Sequence, residues 1–150
     1  MGALIRSPVT ARAPDGWVLR GEAIVGEAPR AAAVLGHAMM VDRRTMDRPR
    51  GAGLASCLAE AGIAVLSFDL RGHGESGPTA AEGARFRYDD FVRLDVPTIV
   101  KAAREHFPKM PLTLVGHSLT GHAAMIAAGA LAPPAQAQVE SKDPIKLTLH

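Results

Sequence analysis

The sequence predicts an α/β fold in which an N-terminal β-hairpin feeds a mostly parallel sheet with helices on both faces. Three observations favour this class. Short apolar runs and segments of helical periodicity alternate three times along the chain. The runs are continuously apolar, as expected for strands that are buried on both sides of a parallel sheet. A turn sequence near the N-terminus joins two further strand-like segments.

The hairpin is predicted from residues 9–12 and 17–25, which flank the turn Ala-Pro-Asp-Gly. Proline presets φ in such a turn, and glycine tolerates positive φ. The first buried strand is expected at 31–35. A helix is expected at 51–61, and Gly62 ends it.

The second buried strand is predicted at 63–70, and a helix at 91–107 follows two acidic residues. Pro97 removes one backbone hydrogen bond from that helix, so we expect a kink or a late helix start. The third buried strand is predicted at 112–115. An alanine-rich helix at 118–131 follows it, and its small side chains allow close packing on a sheet.

We expect residues 1–133 to form one domain and residues 134–150 to form a linker-like tail. Within the tail, residues 145–149 alternate apolar and polar side chains, which is typical of an edge strand but also compatible with a frayed terminus. No segment approaches the ~18 apolar residues of a membrane-spanning helix, and the N-terminus is too short and polar for a signal peptide. We therefore expect a cytoplasmic protein without a membrane span.

The composition of 47% hydrophobic and 21% charged residues is that of a globular protein, and the net charge of +2 indicates no nucleic-acid partner. We interpret the basic cluster at 43–50 as a solvated loop. The single cysteine, Cys57, is expected in the core. The sequence shows no paired spacing of metal ligands, so no metal is expected, and it implies no cofactor.

Ser118 is the candidate nucleophile. It follows the third buried strand two residues after Gly116 and directly precedes a helix. A serine at such a tight turn projects from the sheet edge, where it can attack a substrate. The alternative is a plain helix N-cap. The backbone N–H of Leu119, at the helix N-terminus, is the natural first donor to an oxyanion.

Three motifs occur in order along the chain: Leu-Gly-His-Ala at 35–38, Asp-Leu-Arg-Gly-His-Gly-Glu-Ser at 69–76, and Gly-His-Ser-Leu-Thr-Gly at 116–121. Together they resemble the N-terminal half of an α/β-hydrolase, nearest to the lysophospholipase and serine-aminopeptidase-like esterases. The resemblance covers residues 9–133 and implies a serine hydrolase of carboxylic esters or related acyl substrates, which acts through an acyl-enzyme.

The resemblance also assigns roles to individual residues. It makes Ser118 the nucleophile and gives the oxyanion the backbone N–H groups of Leu119 and Met39. Asp69 is expected to be a buried carboxylate at a structural corner.

Two histidines are expected to support this site. His37 is interpreted as a residue that orients the loop. His117 lies beside Ser118 in the turn, and we expect its side chain to point away from the serine.

The chain departs from the family pattern at several positions. Thr120 stands where the turn motif has glycine, so we expect strain there, and Ala38 replaces a glycine of the oxyanion loop. The family's catalytic acid and general-base histidine lie on later strands, before which this chain ends. No other histidine is a convincing base: His73 is interpreted as structural, His106 as exposed and His122 as packed. His150 would reach the active-site edge only if residues 145–149 pair beside the third strand.

Two alternatives remain open. The chain is either an active hydrolase, or a truncated or frame-shifted remnant that is inactive or acts only by association with another chain. The strand at 112–115 would be an exposed edge that can self-associate. A minor alternative is a dinucleotide site, because Gly72, Gly74 and Gly77 match the pattern G-x-G-x-x-G. That pattern needs a helix that opens directly from the glycines.

Overall fold

The computed structural model describes residues 2–131, which form a five-stranded sheet in the order β1-β2-β4-β3-β5. The strands β1 and β2 form the predicted antiparallel hairpin, and β2 is also antiparallel to β4. The strands β4, β3 and β5 are parallel. The predicted fold class is therefore confirmed. The strand bounds are Ile5–Arg12, Val18–Val25, Ala31–Gly36, Ile63–Phe68 and Leu112–Gly116 for β1 to β5.

The helices occupy the predicted segments. Their bounds are Leu54–Glu60, Tyr88–Asp90, Val96–His106 and Leu119–Leu131 for α1 to α4, with short 3₁₀ helices at Arg43–Asp47 and Ala80–Glu82. A π-helical turn at Phe91–Asp95 separates α2 from α3. Pro97 is the second residue of α3 and directly follows the π-helical turn. Asp95 and Val96 already have helical φ and ψ, so the chain is helical on both sides of the proline, and regular α-helix begins only at Val96.

The centre of the sheet is buried on both faces, because β3 is apolar throughout and β4 is apolar except at Ser67. On β3, Ala32 and Val34 face a core that α3 and α4 cover. Ala33 and Leu35 face the opposite core, which α1 covers. The continuous apolar runs that predicted parallel strands therefore have a direct structural cause.

The prediction that Cys57 lies in the core is wrong. The helix α1 buries Ala55, Ser56 and Ala59, so position 57 falls on its outer face and the thiol is exposed. The buried polar residue of this face is Ser56, whose hydroxyl donates to Asp47 Oδ1 at 2.6 Å.

The predicted tail at 134–150, with its edge strand at 145–149 and His150, lies outside the described residues. Within residues 2–131, every helix is too short or too polar to cross a membrane.

A buried arginine fastens the loop after β4 to the hairpin and to the π-helical turn. The side chain of Arg71 is 2% exposed. Its Nε donates to Asp95 Oδ1 at 2.8 Å, and its Nη1 donates to Asp15 Oδ2 at 2.7 Å. The guanidinium also lies 5.1 Å from the centroid of the Trp17 ring. Because Asp95 is fully buried, neither ion of that pair has water as a substitute partner.

We expect Asp95→Asn to lower the free energy of unfolding by about 3 kcal/mol, because it leaves the Arg71 charge buried without its full counter-charge. The matched control is Asp89→Asn, whose carboxylate is 71% exposed and pairs with Arg93 at 3.9 Å. The control should change stability by less than about 0.5 kcal/mol. Urea unfolding measures both, and equal effects would contradict the structural role of the buried pair.

Candidate active site

All the predicted site residues lie at one edge of the sheet, where β3, β4 and β5 end. These strands are parallel neighbours, so their carboxyl ends meet there. The β3 loop, residues 37–42, carries His37 and Met39, and Asp69 directly follows β4. His117 and Ser118 connect β5 to α4.

Ser118 sits at a strained turn with its side chain exposed to solvent. Its φ is +49°, in the left-handed region that residues other than glycine rarely adopt. Its carbonyl accepts the N–H of His122 at 2.9 Å, and the preceding His117 N–H donates to the Gly36 carbonyl at 2.9 Å. Within residues 2–131, the Ser118 hydroxyl takes part in no hydrogen bond, so it does not cap α4.

The turn is tight because two glycines meet beneath it. A Cβ on Gly116 would lie 2.4 Å from the backbone nitrogen of Gly121, and a Cβ on Gly121 would lie 2.8 Å from the Gly116 carbonyl oxygen. The obstacles are backbone atoms, which cannot turn away. The close contact between β5 and α4 therefore uses Gly121, one position later than the family motif suggests.

Thr120 packs over the end of β3 instead of straining the turn. Its side chain is buried, and a Cβ on Gly36 would lie only 2.0 Å from its Cγ2. The Thr120 hydroxyl donates to the carbonyl of His37 at 2.8 Å. The missing side chain of Gly36 thus makes room for the threonine. The residue of this turn with a left-handed backbone is Ser118, and not Thr120.

The ring of His37 is fully buried, and both of its nitrogens are hydrogen-bonded. The Leu70 N–H donates to Nε2 at 3.0 Å, so the ring proton is on Nδ1, which donates to the Ala38 carbonyl at 2.7 Å. Burial lowers the pKa of His37. A neutral ring with no free nitrogen cannot take a proton from Ser118.

Asp69 is fully buried and fastens the far end of the β3 loop. Its carboxylate accepts the backbone N–H of Arg43 at 2.8 Å and also binds the guanidinium of Arg43. The Glu75 N–H donates to the same carboxylate at 3.0 Å. The basic cluster is therefore only partly the solvated loop that we expected, because Arg43 is 18% exposed and joins two loops. Sequence reasoning missed this pair.

The remaining histidines do not complete a catalytic pair within residues 2–131. His117 is exposed, and so is His122, which corrects the expectation that it is packed. His122 lies on the outer face of α4, whereas the buried positions are Leu119, Ala123 and Ala127.

The dinucleotide alternative lacks its structural condition. The segment after Gly77 leads to a three-residue 3₁₀ helix at Ala80–Glu82, so no helix opens from the glycines. Gly74 has φ of +48°, and a Cβ there would lie 2.5 Å from the Asp69 carboxylate.

Among the described residues, no group of three or more His, Cys, Asp or Glu side chains could hold a metal ion.

The buried His37 predicts a pH dependence of stability. Because burial lowers its folded-state pKa, the unfolded chain binds this proton at a higher pH, and stability falls as pH drops below about 6.5. The variant His37→Gln removes this titration and keeps an acceptor for Leu70. We expect the free energy of unfolding to fall more for the wild type than for the variant between pH 7 and pH 5.5.

Urea unfolding at each pH measures this difference, and equal slopes for the two proteins would contradict it. The aspartates whose pKa is lowered, such as Asp47 at about 2, lose their contribution only at lower pH, outside this window.

Solved structures of α/β-hydrolase esterases share this fold. An esterase from Pyrococcus furiosus matches with 22% identity and a TM-score of 0.65, over 81% of this chain and 45% of the esterase. An α/β serine hydrolase without a lid from Xanthomonas campestris gives 22% and 0.61, over 84% and 56%. A thermostable carboxyl esterase from Bacillus coagulans gives 20% and 0.67, over 84% and 40%. The chain thus spans about half the length of these proteins.

No curated protein sequence matches the chain. A family model described as serine aminopeptidase, S33, matches residues 28–141, which is more than half of the chain. With the sheet order and the esterase structures, this match identifies the chain as a member of the serine aminopeptidase S33 family of α/β-hydrolases.

Proposed function

We propose that the chain carries the nucleophile of a serine hydrolase that cleaves carboxylic esters or related acyl substrates through an acyl-enzyme at Ser118. The observation that carries the proposal is the exposed Ser118 at φ of +49°, held between β5 and α4. Family membership and the esterase structures support the class of reaction. The lysophospholipase-like specificity and the cytoplasmic location remain proposals from the sequence.

In the proposed reaction, Ser118 Oγ attacks the carbonyl carbon of the ester, and the π electrons of the C=O bond move to the carbonyl oxygen. The backbone N–H of Leu119 is at the positive end of α4, where it can donate to this oxyanion. The second donor is the backbone N–H of Met39 in the β3 loop. Collapse of the intermediate breaks the ester C–O bond, and the leaving oxygen takes the proton back from the general base and departs as the alcohol. Water then hydrolyses the acyl-enzyme, which releases the carboxylic acid and restores the Ser118 hydroxyl.

The hydroxyl proton must pass to a general base as the new bond forms. Both nitrogens of His37 are occupied, and no histidine of residues 2–131 is hydrogen-bonded to the Ser118 hydroxyl. We therefore place the base and its acid partner outside the described residues. In this proposal residues 1–133 are the N-terminal half of the hydrolase domain, with His37, Asp69 and His117 in supporting roles.

The proposal predicts that a fluorophosphonate probe labels Ser118 in the native protein, because the probe reacts with an activated serine as an ester does. Intact-protein mass spectrometry followed by peptide mapping measures the label. Ser118→Ala should abolish labelling, while Ser7→Ala in β1 should leave it unchanged. Absence of labelling in the native wild type would remove the enzyme proposal for this chain.

A second candidate is an association module, and the surface around β5 favours it. Among the described strands, β5 pairs only with β3. Val115 on β5 is 40% exposed, and Met125 and Ile126 on α4 are 69% and 52% exposed. We propose that a second copy of the chain associates through this apolar edge, since an exposed strand offers unpaired backbone groups.

Val115→Lys should then weaken self-association, because a buried lysine would have to lose its hydration at the interface. The matched control is Ile5→Lys on β1, the opposite edge strand, where Ile5 is 68% exposed. Light scattering after gel filtration over a range of concentrations gives the mass. A wild type that stays monomeric, or a loss of association only in the β1 variant, would contradict this interface.

A further inference from the structure

Two successive peptide units at the start of the β3 loop are each held by a side chain. The carbonyl of His37 accepts the Thr120 hydroxyl at 2.8 Å, and the carbonyl of Ala38 accepts His37 Nδ1–H at 2.7 Å. The C=O and N–H of a trans peptide point in opposite directions. Holding the Ala38 carbonyl therefore also fixes the direction of the Met39 N–H.

The Thr120 contact has little room to adjust. The residue is 3% exposed, and its methyl group lies where a side chain on Gly36 would have to go. Thr120 also belongs to the first turn of α4, two residues after Ser118. One buried side chain thus joins the helix that follows the nucleophile to the loop that carries the second oxyanion donor.

The outer part of the β3 loop has few restraints of its own. Met39 is 56% exposed and Met40 is 89% exposed, and Met40 has φ of +64°, a conformation strained for methionine. The orientation of the β3 loop therefore depends on its fixed ends, which are the His37 peptide at one end and the Arg43–Asp69 pair at the other.

We propose that Thr120 is a positioning residue, whose hydrogen bond to the His37 carbonyl sets the β3 loop so that the Met39 N–H faces the oxyanion formed at Ser118. This inference rests on the proposed function. Thr120 contacts neither substrate nor the reacting atoms. It acts through the His37–Ala38 peptide that it holds, which is joined to the Ala38–Met39 peptide held by His37 Nδ1–H. Thr120 stands where the family motif has glycine, and its hydroxyl forms a direct hydrogen bond between α4 and the β3 loop.

The test compares variants that separate the hydroxyl from the shape of the side chain. Thr120→Val keeps the shape and removes the donor, while Thr120→Ser keeps the donor and loses the methyl group. The control is Thr10→Val, at an exposed threonine of β1. The measured quantity is the second-order rate constant of fluorophosphonate labelling at Ser118, corrected for the folded fraction.

We expect Thr120→Val to slow labelling by about tenfold or more, a part of the loss that follows removal of a whole oxyanion donor. Thr120→Ser should restore most of the wild-type rate, and Thr10→Val should not change it. A merely structural role would lower the stability of both Thr120 variants and leave the corrected rate unchanged. Equal rates for Thr120→Val and the wild type would therefore overturn the proposal.

A second readout does not depend on catalysis. In ¹⁵N–¹H spectra, Thr120→Val should shift the Ala38 and Met39 amide signals and speed their hydrogen exchange, whereas Thr120→Ser should leave both near the wild-type values. Unchanged Ala38 and Met39 signals in Thr120→Val would also overturn the proposal. If the wild type is not labelled at all, the proposed function fails, and the amide readout alone decides the role of Thr120.

Discussion

The close approach of three backbone segments, where β3 and β5 end and α4 begins, is the constraint on which the rest of the site depends. Gly36 and Gly116 are paired across the sheet, and Thr120 and Gly121 of α4 lie directly on them. A side chain on any of these glycines would collide with its neighbours. The helix can therefore start only two residues after the strand, and Ser118, the second of these, takes a left-handed conformation.

A strained residue persists only where its surroundings leave it no alternative. Around Ser118 the surroundings are the hydrogen bond from His117 to Gly36, the first turn of α4 and the packed glycines. The same contact fixes the neighbouring loop, since Thr120 holds the carbonyl of His37. The same contact between α4 and the end of β3 thus positions both the nucleophile and the loop beside it. The carbonyls of Gly36 and His37 at this contact accept hydrogen bonds from His117 and Thr120.

The fold was predictable because its signals are local: apolar runs, helical periodicity and turn residues give the order of the elements. Ser118, His37 and Asp69 were recognised because short motifs surround them.

The pairing of Arg43 with Asp69 and the bond from Thr120 to His37 were not predictable, since they join residues 26 and 83 positions apart. Thr120 was expected to strain the turn because the space above Gly36 exists only in the folded sheet. Cys57 and His122 were expected to be buried but are exposed, because their helices bury narrower faces than the apolar pattern suggested.

The most direct test of the close approach is a double-mutant cycle between Gly36→Ala and Thr120→Gly, measured as free energies of unfolding in urea. The Cβ added at position 36 would lie 2.0 Å from Thr120 Cγ2. We predict that Gly36→Ala is strongly destabilising in the wild type and much less so when Thr120 is glycine, with a coupling above about 1 kcal/mol. If Gly36→Ala costs the same in both backgrounds, within about 0.5 kcal/mol, the two segments do not meet as described.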